Sequence, residues 1–301
     1  MISDPSTVAE AYRHCTALAR SHYENFPVAS WLRPRSLRNP VAAPRSLRNP
    51  VAAIYAFARH ADDLADEGDL CAEERMAALE TFCRKLRLAA EGRPPTEEPV
   101  FIALADTIER HALPPELLEA LLEAFMQDVY KRRYADFGEV MDYCRRSANP
   151  VGRLLLHLAG EASAENLSHS DAVCSALQLI NFCQDLYEDY VQRGRLYLPL
   201  DELQRFGVAP EDIGARRNSP GLRHLMQHQY ERADRLLRAG APLGSKLSGR
   251  MGLEVRAIIG GGARILHRLR DQSDDVFTRP RLDIADRLAI LRGAFFPSRN
   301  I

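Results

Sequence analysis

The chain has 301 residues, 46% of them apolar and 27% charged, with a formal net charge of −1. Those proportions are ordinary for a globular protein with one large core, and the lack of any basic block excludes nucleic acid as an expected partner. Six scattered cysteines, none in Cys-x-x-Cys spacing, exclude a zinc ribbon and a disulfide framework.

Strand-type alternation is absent, while Ala, Leu, Glu and Arg dominate. Helices are predicted at about 4–23, 50–67, 73–91, 98–112, 115–133, 137–160, 166–193, 219–240, 244–270 and 282–295. The expected architecture is a single all-α domain over residues 1–301. Asp4 or Ser6 caps the first helix, with Pro5 early in it. The segment MISDPSTVAEAYRHC lacks the apolar core of a signal peptide. The decapeptide PRSLRNPVAA stands at 34–43 and again, identically, at 44–53. It reads as a tandem duplication in a loop, where added length costs on the order of 1 kcal/mol in closure entropy. The lone Trp31 is read as a packing residue. Arg93-Pro94-Pro95 ends the third helix, and Pro114-Pro115 breaks the chain before ELLEALLEAFMQDVYKRR. Pro150 is expected to kink the helix over 137–160, because it removes an i to i−4 hydrogen bond. His224 and His228, with Glu231 one turn on, lack a fourth ligand and read as a solvated helix face. Gly260-Gly261-Gly262 does not follow a strand and reads as a close-packing device rather than a dinucleotide site. No apolar run reaches the roughly 18–20 residues needed to span a bilayer. The expected location is a reducing cytoplasm.

Chemistry concentrates in two segments. The first, YAFARHADDLADE, places Tyr55, Arg59, Asp62 and Asp66 at successive steps of four, three and four, on one helix face. The second, QLINFCQDLYED, places Gln178, Asn181, Asp185 and Asp189 on another. Carboxylates four apart on a helix repel unless a cation sits between them, and a polar stripe in an apolar helix is costly if buried without partners. Mg2+ is a hard ion that binds through one or two carboxylates together with substrate phosphate oxygens. Two such pairs suit a Mg2+–diphosphate cluster, and the carbocation left when diphosphate departs needs an apolar, aromatic-lined, water-shielded cavity.

With these segments in hand, the chain resembles the squalene/phytoene synthase family over about residues 10–296. The resemblance rests on YAFARHADDLADE, on YCRRSANPVG at 143–152 and on QLINFCQDLYEDYVQRGRLYLP at 178–199. SHYENFPVAS at 21–30 makes it most similar to the bacterial hopanoid-pathway branch of squalene or hydroxysqualene synthases. The resemblance implies a class I terpenoid synthase helical fold with a central cavity. It implies that Asp62, Asp66, Asp185 and Asp189 hold two or three Mg2+ ions with the diphosphate, and that Arg59, Gln178 and Asn181 sit beside that cluster. It puts Tyr55 near the reacting carbons, His22 and Phe26 near the prenyl site, and Tyr143 on the cavity wall. Tyr197, aided by Arg195, is expected to close over the diphosphate, with Arg132, Arg133 and Arg264 as weaker candidates for phosphate contact. Gln184 stands where many relatives have arginine, which offers a neutral group to hold water.

The implied reaction is conversion of presqualene diphosphate to hydroxysqualene, without NADPH, or to squalene with hydride. Condensation of two farnesyl diphosphates is the alternative, then phytoene synthesis. A non-catalytic assembly factor on the same fold is the rival from another class, and retention of all four aspartates speaks against it. Apolar substrates imply peripheral contact with the inner face of the cytoplasmic membrane and hand-over to other hopanoid-pathway enzymes.

Overall fold

The computed structural model describes residues 4–21, 47–272 and 274–295. These residues are helical, with no strand and a single isolated bridge between Arg133 and Leu196. Their contacts fall into two compact units: residues 1–130 with 150–167, and 131–149 with 168–301. Among the described residues no helix is long and apolar enough to cross a membrane. His22, Phe26, Trp31, the first decapeptide copy and the start of the second lie outside the described residues.

The first unit is built on α1 (Pro5–Ser21), α2 (Arg48–Asp66), α3 (Ala72–Ala90), α4 (Pro99–His111) and α5 (Pro115–Tyr130). One face of α2 is Ala52, Ala53, Ala56, Ala61 and Ala65 around Phe57, all buried. Those small side chains let α1 and α4 pack closely against it. Phe57, Phe82 and Phe101 close the core, with ring centroids 4.8–6.3 Å apart. The buried carboxylate of Asp106 is satisfied by the Tyr12 hydroxyl at 2.7 Å and by Arg110 Nε at 2.7 Å. Beyond Asp66 the chain turns at Gly68, whose φ of 75° suits glycine. Arg75 donates to the carbonyls of Leu64, Glu67, Gly68 and Leu70, which ties down the C-terminal end of α2. The face that carries Tyr55, Arg59, Asp62 and Asp66 is thereby set apart from the alanine face.

The duplication is not wholly a loop. Arg48–Ala53 of the second copy forms the first turns of α2. Pro50 is tolerated there because the opening N–H groups of a helix have no intrahelical acceptor.

The second unit contains α6 (Phe137–Ser147), most of α8 (Ala164–Gln184), α9 (Leu186–Gln192), α10 (Leu200–Arg205), α11 (Pro210–Gly214), α12 (Pro220–Gly240), α13 (Leu243–Lys246), α14 (Gly249–Asp271) and α15 (Ile284–Phe295). Between α6 and α8 lies α7 (Asn149–Leu158). The break at Ala148 divides the helix predicted over 137–160, as the proline requires. The helix predicted over 166–193 is likewise interrupted at Asp185, whose φ and ψ are −103° and 15°. The helix expected to reach 133 stops at Tyr130. The following backbone is taken by other partners: Leu196 N–H donates to Arg132 O, and Leu200 N–H to Tyr134 O. The short helices α10 and α11 have no counterpart in the sequence reading, being too brief to show an apolar period.

Close helix approach in this unit depends on glycine. A Cβ on Gly262 would stand 2.7 Å from Leu177 Cδ2, so the glycine run does admit close packing, whereas Gly260 has only ordinary contact with Ile290. At Gly240 a Cβ would meet Val173 Cγ2 at 2.5 Å and the His169 carbonyl oxygen at 2.6 Å. Backbone cannot yield as a side chain can, so Gly240→Ala is expected to destabilise the protein by about 1–3 kcal/mol in denaturant unfolding. An unchanged midpoint would show that α8 and α12 can separate freely.

Candidate active site

In the first unit, packing of the alanine face leaves Tyr55, Arg59, Asp62 and Asp63 half-buried and Asp66 exposed on the other side of α2. Arg59 collects the carboxylates: it meets Asp62 at 3.2 Å and Asp63 at 2.6 Å, and it also pairs with Glu67. Burial works against its charge, but the three acids outweigh burial and hold it firmly protonated. Its Nε is buried without a hydrogen-bond partner. Tyr55 is half-buried, and burial raises its hydroxyl pKa against the opposing pull of Arg59.

In the second unit, Gln178 and Asn181 lie on α8, Asp185 at its interrupted end and Asp189 on α9. Asn181 is exposed and Gln178 half-buried. Asp185 is gripped by both Nε and Nη2 of Arg279, the latter at 3.3 Å. Glu188 lies 3.9 Å from the same guanidinium. Asp189 is buried; burial pushes its carboxyl above the ordinary range, Arg193 at 2.8 Å opposes this, and Asp185 adds to it. The Arg195 N–H donates to the Asp189 carbonyl, and the Arg195 side chain is buried nearby, where its charge also favours the carboxylate. Gln184 donates its amide to the Pro280 carbonyl at 3.4 Å, so it faces the segment that carries Arg279.

Four rings gather beside these groups. Tyr197 lies on Phe182 with centroids 3.7 Å apart and planes within 6°, and it stands 5.4 Å from Tyr134 and 5.6 Å from Tyr143. Lys131 already places its ammonium 4.8 Å from the Tyr134 ring centre, which shows that a ring of this group can attract a cation.

The expected Tyr143 and Tyr197 are thus brought together, as are Asp185, Asp189 and Arg195. Arg279, Arg193, Phe182 and Tyr134 were not picked out from the sequence. Arg279 lies 94 residues from Asp185 in a segment without helical period, so only the folded chain connects them. Phe182 carried a signal, an aromatic ring next to the polar stripe, that reads equally as core. Arg264 is engaged with the fully buried Asp286, which gives it a structural partner instead of a phosphate. Arg133 donates to the carbonyls of Arg132 and Gly194 and lies over Tyr190. His228 packs beside Phe206 and Glu202 rather than joining a metal cluster.

The donor set tests the expected Mg2+. Every carboxylate on these faces offers hard oxygen, which fits the ion. Among the described residues no three His, Cys, Asp or Glu converge to cage a metal.

The solved squalene synthase HpnC from Alicyclobacillus acidocaldarius is 37% identical and superposes with a TM-score of 0.81, covering 90% of this chain and 97% of that one. The class is therefore the terpenoid synthase helical fold. The squalene/phytoene synthase profile matches residues 19–287, and the chain is an enzyme of that family. It is 38% identical to the hydroxysqualene synthase of Rhodopseudomonas palustris over 261 residues, 85% of this chain and 84% of that protein. It is also 32% identical to the phytoene synthase of Thermus thermophilus, over 98% of this chain and 96% of the relative.

Removing Arg59 leaves Asp62, Asp63 and Glu67 without their shared cation. Arg59→Gln is expected to lower stability by roughly 1 kcal/mol at low salt, an estimate for partly exposed pairs. Thermal unfolding checks this, and added Mg2+ should restore part of the loss.

Proposed function

We propose that this enzyme converts presqualene diphosphate to hydroxysqualene with release of diphosphate. The observation that carries this reading is the pair of acidic groups, each held by arginine, in a chain 38% identical to a hydroxysqualene synthase. Asp62, Asp66, Asp185 and Asp189 would hold Mg2+ with the diphosphate of the substrate. When bound, the ion would supply Lewis-acid stabilisation of the departing charge.

The residues of the chain do the rest. Arg59 keeps Asp62 fixed, and Arg279 and Arg193 do the same for Asp185 and Asp189; as the diphosphate arrives, these guanidiniums can turn to its oxygens. Breaking the carbon–oxygen bond sends the electron pair out with diphosphate and leaves a cyclopropylcarbinyl cation. The faces of Tyr134, Tyr143, Phe182 and Tyr197 favour positive charge and limit access of water. After rearrangement, water forms the new carbon–oxygen bond and gives up a proton, so no hydride donor is consumed. Gln184 is the proposed holder of that water. The two units act in this reading as one synthase domain.

Condensation of two farnesyl diphosphates is the second reading, favoured by the 32% identity to a phytoene synthase along nearly the whole chain. Product analysis separates the two. Incubation with presqualene diphosphate and Mg2+, without NADPH, should give hydroxysqualene. Presqualene diphosphate or a longer product from farnesyl or C20 diphosphates alone would favour condensation. Asp62→Ala combined with Asp185→Ala should cut turnover by about a thousandfold, a loss of several kcal/mol of charge stabilisation. Undiminished turnover in that variant would remove Asp62 and Asp185 from the proposed metal-holding role.

A further inference from the structure

Helix α15 is apolar on two faces and buries only one. Ile290 and Ala294 are buried, as is Leu282 just before the helix, and α15 packs on α14. The wholly buried Asp286 is held by Arg264 and by Arg268 at 2.5 Å, and Arg256 Nε donates to the Ala294 carbonyl at 2.7 Å. The docking of this helix is thus secured by apolar packing, ion pairs and a hydrogen bond to its end. The opposite face nevertheless bares Ile284, Leu288 and Phe295, which are 74%, 62% and 60% exposed.

At helical spacing these three lie within about 40° of one another, in a stripe about 16 Å long. The other large apolar side chains exposed among the described residues stand singly on other segments. Single exposed apolar residues need no explanation; an aligned row does. The charges beside the row are mostly arginine, with Asp283 the exposed exception. Arg287 and Arg292 are exposed on α15 and Arg281 on its approach, while Asp283 and Asp286 are both paired with Arg268.

We propose that the outer face of α15 seats the protein on an anionic lipid surface, with Ile284, Leu288 and Phe295 entering the acyl boundary and Arg287 and Arg292 meeting the headgroups. An amphipathic helix with arginines flanking an apolar row has the chemistry of such a surface. A second copy of this chain suits the face poorly. It would set arginines against arginines, and the row offers on the order of 200 Å² against roughly 800 Å² per partner in a stable interface.

The place of the helix adds a use. The segment just before it brings Arg279 to Asp185 and the Pro280 carbonyl to Gln184. Docking α15 therefore holds the acidic end of α8 close to the bilayer surface. The purpose, passing an apolar isoprenoid between enzyme and bilayer, rests on the function proposed above; the docking itself does not.

Cosedimentation of the full chain with vesicles tests the surface independently of any substrate. Vesicles of equal parts phosphatidylcholine and phosphatidylglycerol should bind it about tenfold more tightly than phosphatidylcholine alone, and less so as salt rises. Ile284→Ser/Leu288→Ser/Phe295→Ser should weaken that binding about tenfold or more, with helix content by circular dichroism unchanged. Arg287→Gln/Arg292→Gln leaves the apolar row intact and should lose the preference for anionic vesicles; it also serves if the serine variant fails to fold. No binding to the mixed vesicles, or equal binding by the folded serine variant, overturns the proposal. So does a wild-type dimer in light scattering that the serine variant reduces to monomer, because the face then belongs to a second copy.

Discussion

Like charges set close together on helices must be neutralised, and that constraint runs through this molecule. Asp62, Asp63 and Glu67 share Arg59; Asp185 and Glu188 share Arg279; Asp189 has Arg193. Coulomb repulsion between such carboxylates is modest in water and grows with burial. Asp189, the most buried of them, has a raised pKa chiefly because burial penalises its charge, with Asp185 adding to the shift, even beside its arginine. The arginines hold the acids in place. On the proposed reading they are also the groups that a Mg2+–diphosphate complex would draw into new pairings.

The scaffold serves this arrangement in different ways in the two units. In the first, alanine on the inner face of α2 lets neighbouring helices approach, and Arg75 secures the helix end, so the acidic face is set apart from the alanine face. In the second, the interruption at Asp185 redirects the chain from α8 into α9. The pairing of residues near 132–135 with 196–201 sets Tyr134 and Tyr197 side by side. Neither device resembles the other, but each leaves carboxylates within reach of arginine.

Much of the fold was legible because long helices declare themselves through the spacing of their apolar residues. The steps Tyr55–Arg59–Asp62–Asp66 fall on one helix, whereas the stripe Gln178–Asn181–Asp185–Asp189 is broken at Asp185, which puts the buried Asp189 on the next helix. What could not be read depends on contacts between distant segments. Arg279 has no local pattern to mark it, and the end of α5 at Tyr130 is decided by backbone partners more than sixty residues away. Helices as short as α10 and α11 contain too few residues to show a period. The outer face of α15 was hidden for a related reason: a helix with apolar residues on two faces does not tell which face is core until its neighbours are known.

Titration calorimetry with inorganic diphosphate and Mg2+, each alone and then together, bears most directly on the role given to the acidic faces. If the carboxylates leave their arginines only for a metal already bound to phosphate, neither ligand alone binds tightly, and each strengthens the other by the same factor. Tight Mg2+ binding in the absence of diphosphate, or diphosphate binding indifferent to Mg2+, would contradict that role.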